Sequence, residues 1–151
     1  MLEYFLGIDP SATSTGLTLL SNEGSCEVHL IKPRKLRDYE RLQYISSDIK
    51  SFISGKNITL CVYESPSYGS IHKEFILGEV LGAIKLTVSS QGITLVGATP
   101  TQLKKYIAGS GKATKEKVVE SAVKLGCTST QEDICDSYSA ALLCKDVVIG
   151  P

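Results

Sequence analysis

Residues 4–20, YFLGIDPSATSTGLTLL, decide the fold. The run from Tyr4 to Ile8 is short and apolar, and it stops at Asp9-Pro10, where a residue without an N–H ends strand pairing. A second run, Gly16 to Leu20, follows a loop of Ser and Thr. A third, Cys26 to Ile31, follows the turn Ser21-Asn22-Glu23-Gly24. Three runs this closely spaced predict a three-stranded antiparallel meander, with Asp9 at the carboxyl end of its first strand.

Outward from this core the pattern changes. Between Arg37 and Ile53, Leu42, Ile45, Ile49 and Phe52 recur at three- and four-residue steps with Arg41, Asp48 and Lys50 in the gaps, which predicts an amphipathic helix. Ile58 to Tyr63 is a continuous apolar run ending in Glu64-Ser65-Pro66, the pattern of a strand covered on both faces and paired in parallel. A helix over about 71–88 and a second buried strand over Ile93–Val96 repeat the unit. Thr99-Pro100-Thr101-Gln102 reads as a capping box with Pro at the first helical position, and Gly109-Ser110-Gly111 ends that short helix. Further helices are expected from about Thr114 to Leu125, closed by Gly126, and from a cap at Thr130 through Asp133, Asp136, Ala140, Leu143 and Cys144. The order βββαβαβ followed by helices gives an α/β protein with a five-stranded mixed sheet: three antiparallel strands, then parallel βαβ additions, flanked by helices. The tail from Val147 to Pro151 carries no signal.

The chain has 151 residues, no internal repeat and no linker long enough to divide it, so residues 1–151 are expected to form one domain. Sixteen basic and sixteen acidic residues cancel, so any anionic partner must be met by segregated patches. Five cysteines without a C-x-x-C pair read as reduced, packed thiols. No apolar stretch is long enough to span a membrane, and MLEYFLGID lacks a basic leader and cleavage site. The expectation is a cytoplasmic protein with no membrane partner.

Four acids stand at element ends. Asp9 and Glu64 each close an apolar strand, where open α/β sheets collect ligands. Asp133 and Asp136 are three apart at the start of the last helix, hence on one face. Gathered together they would repel by about 4 kcal/mol per close pair at 4 Å in an effective dielectric near 20. Cations must therefore neutralise them, or they are not together. Oxygen ligands select Mg²⁺ or Mn²⁺; Zn²⁺ would favour Cys and His at metal spacing, and His29 and His72 are the only histidines. Two such ions about 4 Å apart are suited to hydrolysing a phosphodiester by in-line attack. Singly, each acid also has an ordinary role: a turn before Pro10, a solvated strand end, a complement to a helix dipole.

LGIDPSATSTGLTLL, CVYESP, TPTQLKKYIAGSGKATKEKVV and EDICDSYSAALL together resemble the RuvC-type Holliday junction resolvases, in the same order and over most of the chain. The opening with Thr15-Gly16 is shared by many ribonuclease H-like and actin-like ATPase proteins; D-x-x-D before a small-residue helix, with Lys104 and Lys115, narrows the choice. The resemblance implies a ribonuclease H-like fold. It also implies Asp9, Glu64, Asp133 and Asp136 as metal-binding catalytic acids, and Lys104 and Lys115 near the scissile backbone. It implies a Mg²⁺-dependent endodeoxyribonuclease, with Mn²⁺ able to substitute. Such an enzyme acts as a homodimer on branched DNA (four-way junctions, forks and flaps), with paired nicks on opposing strands. One departure stands out. The family often carries a stacking aromatic three residues after the second acid, but Ser67 occupies that place; Tyr68, which follows it, is the candidate to substitute as a DNA contact. The short chain without net positive charge suggests a bacteriophage-borne relative.

Lys104, Lys105, Lys112, Lys115 and Lys117 face only Glu116 between 101 and 117, a stretch suited to phosphate contact or to solvation. Lys32, Arg34, Lys35, Arg37 and Arg41, with Asp38 and Glu40 among them, admit the same two readings. Gly109-Ser110-Gly111-Lys112 has the look of a phosphate loop, yet Tyr106 and Ala113 break the Walker pattern, so it reads as a turn near DNA. Gly78 and Gly82 each cost the second helix about 1 kcal/mol relative to Ala, which points to close approach by the sheet or a second subunit. Two rivals remain: a junction-binding protein without cleavage, and an ATPase lobe, which needs a second lobe this length excludes.

Overall fold

The computed structural model describes residues 1–66 and 71–151, the side chains of 71–73 excepted. Ser67, which stands where the family often carries its stacking aromatic, and Tyr68, the candidate to replace it, lie outside the described residues. The elements are β1 (Tyr4–Asp9), β2 (Thr15–Ser21), β3 (Cys26–Ile31), α1 (Asp38–Ile53), β4 (Ile58–Glu64), α2 (Ile71–Ser89), β5 (Thr94–Ala98), α3 (Pro100–Ala108), α4 (Lys115–Leu125) and α5 (Glu132–Ile149). The sheet runs β3-β2-β1-β4-β5. β1 to β3 form the expected meander, and β4 and β5 add in parallel beyond β1.

Strand alternation sorts the core into two layers. Leu6 and Ile8 of β1, Leu17 and Leu19 of β2 and Cys61 of β4 face α1 and α2, where Ile45, Ile49, Val80 and Ile84 meet them. Phe5, Leu20 and Val62 face the opposite side, onto Leu103, Ile107, Val118, Ile134 and Tyr138 of α3, α4 and α5. That parity continues to the strand ends. Asp9 shares the side of Phe5 and Glu64 that of Val62, so both carboxylates project toward the face that α5 covers.

α5 lies unusually close to that face. A Cβ at Gly7 would sit 2.1 Å from the Ser137 carbonyl oxygen and 2.3 Å from the Ala141 nitrogen; at Gly16 it would sit 2.2 Å from the Asp133 carbonyl oxygen. Only glycine admits a helix backbone here. Between these two contacts Thr18 Oγ1 and Ser137 Oγ share a buried hydrogen bond of 2.7 Å, which fixes the register of helix on sheet.

The expected cap at Thr99 is present, and Thr114, where the next helix was expected to begin, proves to be its N-cap. Thr99 Oγ1 accepts from the Gln102 N–H at 3.1 Å while Gln102 Oε1 accepts from the Thr99 N–H at 2.9 Å, and Thr114 Oγ1 accepts from the Lys117 N–H at 3.2 Å. Three details differ from the sequence reading. The strand expected to be buried over Ile93–Val96 is an edge strand over Thr94–Ala98, with Val96 48% exposed; among the described residues no strand pairs beyond it. The last helix starts from Gln131 rather than Thr130, without a side-chain cap; Glu132 and Asp133 in its first turn complement the dipole instead. It also continues to Ile149, through most of the tail that carried no signal. All five cysteines are free thiols, four of them buried. Among the described residues no helix is long and apolar enough to cross a membrane.

Candidate active site

Asp9, Glu64 and Asp136 each offer a carboxylate oxygen within 4.8 Å of the others. β1 and β4 are adjacent and parallel, so their carboxyl ends coincide, and α5 crosses above them with Asp136 one residue before Ser137, its anchoring point. Asp9 is 8% exposed. Burial, a hydrogen bond with Glu64 and the charges of Glu64, Asp136 and Asp133 push its carboxyl up to about 11. Asp136 is pushed up to about 7 by burial and by Glu64, Asp133 and Glu132, while Lys104 pulls it down. Carboxylates at this spacing resist ionising together unless a cation stands among them. An all-oxygen donor set of this size fits a hard divalent ion such as Mg²⁺ or Mn²⁺.

Asp133 lies one turn earlier on α5, close enough for its charge to raise both Asp9 and Asp136, but its oxygens fall outside the group of three. Its main chain is the part pressed against Gly16. His29 is engaged by Asp48 at 2.8 Å, away from these acids.

The acids open into a cleft of about 310 Å³ between the sheet end and α2, α3, α4 and α5. Lys104 and Lys115 line it, as does Ser139 of α5; Leu77, Leu103, Ile107 and Val118 supply the apolar wall. Lys104 is half-buried on α3 and lies near enough to Asp136 to lower its carboxyl. Lys115 opens α4 and reaches Glu132 at 3.6 Å on the rim. Lys105 and Lys112 are exposed outside the cleft lining. The broken Walker stretch is a turn: Gly109 takes φ 82° and closes α3.

The sequence reading did not single out Gly7, Thr18 or Ser137, which seat the helix carrying Asp136. A small residue on the α5-facing side of β1, between Phe5 and Asp9, was the available signal.

The family described as "Crossover junction endodeoxyribonuclease RuvC" matches residues 5–144. The protein of that name from Hydrogenovibrio crunogenus is 30% identical, over 96% of this chain and 88% of its own. Its counterpart from Neorickettsia sennetsu is 30% identical, over 90% of this chain and 89% of its own. In fold, the chain resembles Thermus thermophilus RuvC solved in complex with Holliday junction substrate. The TM-score is 0.80 at 22% identity, covering 94% of this chain and 91% of that one. A second structure of Thermus thermophilus RuvC gives 0.75 at 23% identity, covering 94% and 92%. The ribonuclease H-like sheet, its three convergent acids and this match over nearly the whole length place the chain in the RuvC crossover junction endodeoxyribonuclease family.

Proposed function

We propose that this chain is a divalent-cation-dependent endonuclease that resolves four-way DNA junctions. The observation that carries the reading is the convergence of Asp9, Glu64 and Asp136 at the floor of a cleft walled by Lys104 and Lys115, in a chain of this family. Asp9, Glu64 and Asp136 would hold Mg²⁺ or Mn²⁺, with Asp133 as the fourth acid; these ions, when bound, supply an activated nucleophile and charge stabilisation at the leaving oxygen.

The protein's own groups do the rest. The three carboxylates fix where cations and phosphate meet. The Lys104 ammonium, beside Asp136, offsets charge building on the scissile phosphate, and Lys115 holds the backbone at the rim. Leu77, Leu103, Ile107 and Val118 keep water from competing and strengthen each charge interaction. Lys105 and Lys112 extend the basic surface along a DNA arm.

Paired nicking needs two copies. On α2, Phe75 is 71% and Leu86 73% exposed, and Cβ positions at Gly78 and Gly82 meet nothing within 4 Å. The fold therefore leaves this stripe unused, and its apolar residues and close-approach glycines suit a second copy of the chain. We read residues 1–151 as one nuclease domain forming a homodimer through this face.

The test is cleavage of an end-labelled four-way junction. Symmetrical nicks with Mg²⁺ or Mn²⁺, lost in chelator and lost in Asp136→Asn, are expected. Binding without nicking in either metal would make the protein a junction binder and overturn the nuclease reading.

A further inference from the structure

A second groove, of about 510 Å³, adjoins the acid cleft and shares Pro10 and Leu77 with it. Its walls are the loop 10–13 after β1, Arg41 from α1, and Ile76 and Leu77 from α2. The loop is already fixed: Ser11 Oγ accepts the N–H groups of Thr13 and Ser14 at 3.2 and 3.3 Å, and the Ser11 carbonyl accepts from Thr15 Oγ1 at 2.7 Å. Thr13 is thereby held exposed at the groove. Arg41 is half-buried, and among the described residues it forms no ion pair. A partly desolvated guanidinium without a carboxylate is costly unless an anion arrives, and its planar fork matches phosphate.

A DNA strand whose phosphodiester lies among the three acids must continue beyond them. Lys104 and Lys115 line one wall; across Pro10 and Leu77 lies this groove, with a cation, hydroxyls and apolar walls. That chemistry matches one nucleotide, anionic at its phosphate and flat and apolar at its base. A paired arm is too wide for such a space, whereas bases at a branch point can leave the stack.

We propose that this groove holds the nucleotide next to the scissile phosphodiester, its phosphate on Arg41 and Thr13 and its unstacked base against Ala12, Ile76 and Leu77. The proposal rests on the nuclease reading and names where that substrate strand runs.

Two measurements test it on the full chain. Junction binding in chelator, titrated with salt, is compared for wild type, Arg41→Ala and Arg41→Lys. The Ala variant is expected to flatten the log–log slope by roughly 0.7 to 0.9, the value of one phosphate contact, and the Lys variant to restore it. Single-turnover cleavage of junctions with an abasic site at each position around the cut is expected to fall roughly tenfold at one flanking position. It should fall far less there in Arg41→Ala, which no longer seats that nucleotide. Equal slopes in wild type and Arg41→Ala, or abasic effects indifferent to position, would overturn the proposal while leaving the nuclease reading intact. If wild type cuts no junction, it is the nuclease reading that fails.

Discussion

In the metal-free fold burial, and after it the charges of Glu64, Asp133 and Glu132, push the Asp136 carboxyl up to about 7 against the pull of Lys104, so that it holds a proton near neutrality. A cation entering the site must displace that proton, so affinity for Mn²⁺ is expected to rise between pH 6 and pH 8, as read by calorimetry in two buffers of different ionisation enthalpy. The sign for stability is opposite. With the folded carboxyl near 7 and the unfolded one at 3.8, the native state holds the extra proton between them, and metal-free stability declines as pH rises through that window. Asp136→Asn should flatten this decline, and Asp9→Asn should raise the metal-free Tm at pH 8 by roughly 3 °C or more, the effect of about 1 kcal/mol in a domain of this length. Both variants should fail to cut while still binding junctions in chelator. A metal-free Tm unmoved by either change would mean the carboxylates do not crowd one another.

At the scale of elements, the site depends on how α5 rests on β1 and β2. Gly7→Ala drives a methyl into the Ser137 carbonyl, and the helix must lift. The expected loss is about 3 kcal/mol by urea unfolding, since the clash is with backbone. Ser137→Ala removes the partner of buried Thr18 and should cost about 1–2 kcal/mol; paired with Thr18→Val, the combined loss should be smaller than the two single losses added. Additive losses would show that the hydrogen bond does not couple the elements. On α3 and α4, Lys104→Ala and Lys115→Ala are each expected to flatten the salt dependence of junction binding by about one unit. An unchanged slope with normal turnover would remove that lysine from the DNA path.

For the whole molecule, the meander and the parallel pairing of β4 and β5 were legible because apolar runs end at turn residues or acids and change period where a helix begins, but the order of the strands was not. The convergence of Asp9 and Glu64 depends on that order, which sets β4 beside β1 in parallel register. Nor did the chain disclose distance. Asp133 and Asp136 share a helix face in any reading, but only the seating of α5 on Gly7 and Gly16 determines that Asp136 reaches the trio and Asp133 stands back. The exposure of β5 was hidden for a similar reason: an apolar run does not reveal whether another strand lies beyond it. The α2 stripe belongs to this scale too. Phe75→Glu or Leu86→Glu should shift the protein toward monomer in sedimentation equilibrium and convert paired junction cleavage into single nicks; dimers persisting in both variants would place the interface elsewhere.

Anomalous diffraction from crystals soaked in Mn²⁺ tests the cation site most directly. The predicted result is density enclosed by the carboxylates of Asp9, Glu64 and Asp136; manganese bound elsewhere, with those three side chains free of it, would contradict it.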